Sequence, residues 1–339
     1  MALTINHQTN DISATSGSMT IDGAAVGGGG SYTLPTASGS TLGGIKIGSG
    51  LSIDGSGVVT ASGGGGGGAD LYAANESSPS AQPSATGTNS IAIGESAVST
   101  GRRSLAVGTS RAAGNYSVAM MIGSNSTSYG TYGGSRNLAM GELARSTFGS
   151  YALGAQARAE GEKSYVIGTE STAVRKRSMA FGYQSQPASE DTLSFAGGQF
   201  SSKGDGQRSF AALRCSTTNA TPATLTTNDN GAVSSNNQII LPNNSAFVFT
   251  GALIAREQAS SGTDVGAWKV EGTIRREGSA GTTTLIHNTV TAIGTAPSGW
   301  SLAITADTTY GAAKFAVTGA ASTNIRWVLK LDTAEVSYA

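Results

Sequence analysis

Few residues in this chain could do acid–base chemistry. Asp264, Glu271, Glu277 and Asp307 are the carboxylates that could be paired across a glycosidic bond, a cleavage that needs two carboxyl groups several ångströms apart. They lie beside turn residues, so solvated turn charges are the expected reading. His7 and His287 are the only histidines and are far apart in sequence, and Cys215 stands alone, so a conventional zinc cluster has no ligands to draw on and a buried thiol is expected. Ser298, His287 and Asp307 have the residue types of a nucleophilic triad, but serine is so common here that their coexistence carries no weight. Gly27 to Gly30 and Gly63 to Gly68 read as linkers, because neither is followed by the Lys-Ser/Thr of a phosphate-cradling loop. Two features suit contact rather than catalysis. One is the basic triplet Arg175, Lys176 and Arg177, with the pair Arg102 and Arg103 in a similar setting. The other is Tyr129 and Tyr132, set among Gly and Ser as in adaptable binding surfaces.

The element that must position these residues is a repeat. Ser90-Ile-Ala-Ile-Gly94 returns as Ser104-Leu-Ala-Val-Gly108, Asn137-Leu-Ala-Met-Gly141, Ser150-Tyr-Ala-Leu-Gly154, Ser164-Tyr-Val-Ile-Gly168 and Ser178-Met-Ala-Phe-Gly182. A weaker copy passes through Ser194 and another through Ser209. A fixed short period marks a solenoid, and one near fourteen residues fits a coil of two short strands and two turns. Inside the phrase large and small residues alternate with the period of a half-buried strand. The large set, such as Ile91 and Ile93 or Tyr165 and Ile167, is expected to fill the coil, leaving the small set for close approach from outside. Alanines of the second half-repeat, Ala155, Ala157 and Ala159, are expected inward, with Gln156, Arg158 and Glu160 in water. Gly94, Gly101, Gly161 and Gly168 are expected at sharp turns, and Gly94, Gly108, Gly141, Gly154, Gly168 and Gly182 are the structural glycines of the repeat.

The Ser-x-Ala-x-Gly phrase at this period resembles the head repeats of trimeric autotransporter adhesins, a module that phage tail fibres also carry. The resemblance covers residues 88 to 185 and departs at Ser117-Val-Ala-Met-Met-Ile-Gly123, which has two extra residues, and between 124 and 136, where a loop is expected. It implies a left-handed parallel β-roll with three chains side by side. In such a trimer each basic triplet would recur at one level as a belt facing acidic lipopolysaccharide or a virion protein, with a salt-dependent affinity. Tail fibres sometimes bind iron through a His-x-His pair, which this sequence lacks. Many are glycan depolymerases, usually on larger, aromatic-rich coils unlike these, so no enzyme activity, catalytic residue, metal or cofactor is expected.

The rest of the chain agrees with a fibre. Among 339 residues there are 49 Gly, only 12% are charged and 6% aromatic, which suits a thin core shared between chains. The formal net charge of zero gives no electrostatic case for nucleic acid. Residues 1 to 30 show neither a basic start followed by an apolar run nor a membrane span, as an exported adhesin would require. A segment attaching to virion tail or baseplate proteins, in a particle assembled in the host cytoplasm, is expected instead. Residues 31 to 62, with Ile45, Ile47, Leu51, Ile53 and Val58 between Gly-Ser breaks, are similar to tail-fibre shaft segments of very short strands. Residues 63 to 87 are the linker, 88 to 213 the roll, and 214 to 339 a C-terminal antiparallel β-sandwich holding all three tryptophans. The whole reads as an all-β, homotrimeric virion tail-fibre protein that adheres to a host surface glycan or outer-membrane protein. A bacterial surface adhesin, a polysaccharide depolymerase and a purely structural fibre are the alternatives.

Overall fold

The computed structural model describes residues 82–120, 136–228, 232–258 and 263–338 in full, together with the backbone of short strands elsewhere. It divides into a unit Met1–Asp70 and a unit Leu71–Ala339. In the first unit the described residues form antiparallel hairpins: Leu3–Asn6 with Asp11–Ala14, Met19–Ile21 with Ala24–Val26, and Leu51–Ile53 with Val59–Ala61. The last of these is the short-stranded pattern expected of the shaft; Ile45 and Ile47 lie outside the described residues.

The second unit begins as a β-roll. Its wide sheet runs in parallel through Ile91–Ile93, Leu105–Val107, Val118–Met120, Leu138–Met140, Tyr151–Leu153, Tyr165–Thr169, Met179–Tyr183 and Thr192–Gly197. A narrow sheet of two-residue strands, from Ser84–Ala85 to Thr172–Ala173, forms the other wall. Register follows the repeat: Leu105 pairs with Ile91, Tyr165 with Tyr151, and Met179 with Tyr165. The expected loop contains part of a coil, because the backbone of Tyr132–Gly133 joins the narrow sheet between Arg111–Ala112 and Arg145–Ser146.

Which face of the alternation is inside is the reverse of the expectation. The small set fills the coil: Ala106, Ala119, Ala139, Ala152, Val166 and Ala180 stack in register with no exposed surface. Ala112, Ala159 and Ala173 close on them from the narrow sheet, and Ala157, just before its strand, is buried with them. The large set faces outward, with Ile91 50% and Ile167 46% exposed in the single chain. The reason is width. Coils of about fourteen residues folded into two walls bring those walls too near for Ile or Tyr between them, whereas small residues, mostly Ala and Ser, fit without voids or strain. The repeated serines are interior too, and their hydroxyls donate to carbonyls at the corners: Ser104 to Gly101 at 2.7 Å, Ser178 to Arg175 at 2.7 Å, and Ser150 to Gly161 at 2.6 Å. Burying a hydroxyl is tolerable only with such a partner.

The glycines also divide in role. Gly94 has positive φ at a bend, and Gly168 has it inside the strand Tyr165–Thr169 rather than at the expected turn, whereas Gly101 and Gly161 do not have positive φ. Those two are glycine because coils touch there: a Cβ would sit 2.0 Å from the Gly114 oxygen or 2.2 Å from the Arg175 oxygen. Much of the left-handed turning is done instead by residues such as Arg103, Gln156, Lys163 and Arg177, at φ of 54–56°. Each of these donates its N–H one coil back, for example Lys163 to Phe148 O at 3.0 Å and Arg177 to Glu162 O at 2.8 Å. That bond offsets the left-handed penalty of about 1–2 kcal/mol per residue.

The roll passes into the C-terminal region without a break in the sheet. Thr192–Gly197 is parallel to Met179–Tyr183 on one edge and antiparallel to Gly206–Thr217 on the other. From there the sheet continues through Ile325–Ser337, Ser245–Glu257, Val265–Arg276 and Thr284–Ala292, all antiparallel. The change of composition at residue 214 therefore falls inside one strand. A second sheet of Ala223–Thr224, Ile239–Ile240, Ser301–Asp307 and Ala312–Thr318 covers one face, giving the expected sandwich. Its core is aromatic: Trp327 lies 5.8 Å from Trp268 and 5.5 Å from Trp300, and Phe249 meets Phe315 edge-on at 5.4 Å. The Trp327 indole N–H donates to Thr217 Oγ1 at 2.9 Å, so this buried ring leaves no donor unmet.

Cys215 is buried in this core, and burial pushes its thiol up to about 12. The thiolate is the reactive species. A disulfide reagent at mildly alkaline pH should therefore leave the folded chain unlabelled and take up one equivalent only after denaturation; rapid labelling of the native protein would contradict the packing.

Candidate functional site

Each residue of the basic triplet has partners within the chain. Arg177 makes a two-pronged pair with Asp191, at 2.5 and 2.6 Å, and that carboxylate raises the guanidinium further above its ordinary value. Lys176 lies 2.7 Å from Glu162 and holds that carboxyl below its usual range. Arg175 turns the other way and donates to Ala188 O at 3.0 Å and Asn236 Oδ1 at 2.7 Å. Arg102 and Arg103 are placed over the Tyr116 ring, at 4.9 and 5.9 Å from its centre. Tyr129 lies outside the described residues; Tyr132 is described only as strand backbone.

Three of the four candidate catalytic carboxylates have hydrogen-bond or ion-pair partners of their own. Glu271 lies 3.3 Å from Lys269, and Glu277 lies 3.8 Å from Arg275. Asp307 accepts from Gln238 and from the turn N–H groups of Thr309 and Tyr310. Burial pushes its carboxyl up, but these bonds outweigh that and hold it below the usual range. His287 meets Thr289 at 3.4 Å rather than Ser298 or Asp307. Among the described residues no three His, Cys, Asp or Glu side chains gather closely enough to share a cation.

What the structure does assemble is an apolar surface. The outer face of the wide sheet carries two in-register columns. One runs Ile91, Leu105, Val118, Leu138, Tyr151, Tyr165 and Met179; the other runs Ile93, Val107, Met120, Met140, Leu153, Ile167 and Phe181. Tyr151 and Tyr165 stack at 5.1 Å with rings 4° apart. Phe195, 54% exposed, extends the second column to the last roll strand. Beyond it the same face turns polar: the Arg208 guanidinium lies 4.5 Å over the Phe210 ring and is paired with Asp332. Contiguous apolar patches on this scale mark interaction surfaces.

One half-buried acid lies where the roll meets the sandwich. Burial pushes the Glu335 carboxyl up, although Thr333 donates to it at 2.6 Å and Gln207 at 2.8 Å. A carboxyl raised in the folded state contributes stability at and below its unfolded pKa, and that contribution is lost as pH climbs toward the folded value. Thermal melts of the native chain should therefore lose stability above the ordinary carboxylate range, and Glu335→Gln should flatten that loss. Identical pH profiles for the two would refute the assignment.

The coils match the YadA head domain repeat. The family matches residues 85–110, 148–164 and 159–185, all within the roll. No curated protein matches the chain. Among solved structures, the Acinetobacter baumannii phage AM24 tailspike protein is 10% identical, with 73% of this chain and 47% of that chain covered at a TM-score of 0.21. A tailspike protein of Acinetobacter baumannii bacteriophage Fri1, described as a capsular polysaccharide depolymerase, is 6% identical, with 71% and 50% covered at the same score. This chain thus spans about half the length of either tailspike. Scores that low establish neither a shared fold nor a shared activity. The YadA-type coils are the specific likeness, and they coincide with the part of the chain that carries the apolar columns.

Proposed function

We propose that this chain is a phage tail-fibre protein that self-associates as a homotrimer and attaches the virion to a host-cell surface glycan or outer-membrane component, by adhesion and without catalysis. The observation that carries the reading is the outward apolar face of the YadA-type coils. A thin roll filled with Ala and Ser has no room for those side chains, so another surface must cover them, and identical copies offer the matching one. Three flat faces around an axis cover all three at once. Residues 1–30 are the segment that would join tail or baseplate proteins. Three rigid copies of a weak site then act together, and avidity of about 10²–10⁴ over a single site needs no new contact.

The test pairs mass with adhesion. Sedimentation of the full chain should give three times the 33.8 kDa of one protomer. The same preparation should bind susceptible bacteria and compete with virions for them. A monomer in solution, or adhesion that survives when the trimer is dissociated, would sink the proposal. Release of reducing sugar from the host polysaccharide would instead favour a depolymerase.

A further inference from the structure

A second surface, made of none of the apolar columns, lies where the roll meets the sandwich. It is a groove of about 480 Å³, in the range that holds small ligands. Three cations line it from three distant parts of the chain: Arg175 at a corner of the roll, Lys203 in the turn before Gly206–Thr217, and Arg276 at the end of Val265–Arg276. No Asp or Glu is among its described lining residues, and among the described residues none of the three cations has a carboxylate partner. Asp205, close in sequence to Lys203, is committed elsewhere. Burial pushes it up, but the N–H groups of Ser201, Ser202 and Phe200 outweigh that and hold its carboxyl below the usual range.

The cations keep unused donors. A guanidinium has five N–H groups; Arg175 spends two bonds on Ala188 and Asn236. Arg276 donates through Nη1 to Leu241 O at 2.6 Å, while its Nε is buried without a partner. Around them stand the exposed amides of Gln186 and Asn243 and the ring of Tyr338, 81% exposed. Cations of one sign in a concave wall focus the field on an anion, guanidinium matches a carboxylate in two prongs, amides serve hydroxyls, and a free aromatic ring offers a flat apolar platform. Together these are the complement of a sugar ring that bears a carboxylate.

We propose that this groove binds a carboxylate-bearing saccharide, the acid on Arg276 and Lys203 and a ring against Tyr338. This deepens the adhesive reading, on which it rests, by naming the class of its receptor. The groove and the apolar columns are different residues, so each can be altered without the other.

The test titrates the full chain with oligogalacturonate, oligosialic acid and a hyaluronan oligosaccharide, each beside its carboxyl-reduced form. At least one acid form should bind, and more weakly as salt rises. Its reduced counterpart should bind about tenfold more weakly or worse, as should the Lys203→Gln and Tyr338→Ala variants, each checked for an unchanged melting temperature. No binding by any acid form, or equal binding of the reduced forms, overturns the proposal. So does cell adhesion that Lys203→Gln and Tyr338→Ala leave intact, and in that case the adhesive reading stands. Acid-dependent binding in a chain that adheres to no cell keeps the groove and removes the adhesive reading.

Discussion

Replacing Gly168 by valine should cost more than about 4 kcal/mol, the range reached only when packing is broken outright. A Cβ at that position would lie 1.8 Å from the Gly182 carbonyl oxygen and 2.7 Å from its carbon, both backbone atoms of the next coil. No side-chain rotation relieves such a contact, so the coils would have to separate and give up the ladder between Tyr165–Thr169 and Met179–Tyr183. Gly149 is the control that separates crowding from conformation. Its φ is +76°, yet the nearest atom to a Cβ there is Lys163 Cγ at 4.0 Å. Gly149→Ala should lose only the left-handed penalty of about 1–2 kcal/mol. Denaturant melts of the two variants measure the difference directly. Equal losses would mean that coil contact is not what keeps Gly168 a glycine.

The roll was legible in the sequence because its period is written in residues. The turn glycines, the Ser-x-Ala-x-Gly phrase and the strand alternation all return at the spacing of the register pairs, as Tyr165 with Tyr151 shows. The side of the sheet was not legible. Alternation distinguishes two faces but does not say which is inside, and the habit of placing large residues inward fails when the coil is too thin to hold them. A signal was present in the second half-repeat, where Ala157 and Ala159 alternate with Arg158 and leave no large residue to face inward. The fate of the basic triplet was legible in principle. Arg177 and Asp191, like Lys176 and Glu162, stand one repeat apart, and opposite charges at the coil spacing are neighbours across the ladder. The groove was not legible. Arg175, Lys203, Arg276 and Tyr338 share no motif and meet only because the sheet runs unbroken from the roll into the sandwich. The sandwich strands themselves were plain in the runs around Phe247–Leu253, Trp268–Ile274 and Ile325–Leu331, where inward and outward residues alternate in the usual sense.

Val166 and Ile167 are adjacent, and they should report opposite things. Val166 has no exposed surface inside the coil, so Val166→Glu would force an unpaired carboxylate among Ala152, Ala180 and Ala173 and should abolish the roll. Ile167 points out, 46% exposed in the single chain. There a glutamate meets water and should cost one protomer no more than the roughly 1 kcal/mol span of strand propensity. In a trimer closed by the apolar columns the same substitution would bury three carboxylates near one axis, at several kcal/mol for each ion. Ile167→Glu should therefore keep the β-sheet circular dichroism of the parent while its mass falls to that of one chain. If that variant fails to fold, Ile167→Ser removes the apolar contact without adding charge and should weaken association at low protein concentration. A folded Ile167→Glu that still sediments as a trimer would place the association surface elsewhere, and with it the reason for carrying large apolar residues on the outside of so narrow a coil.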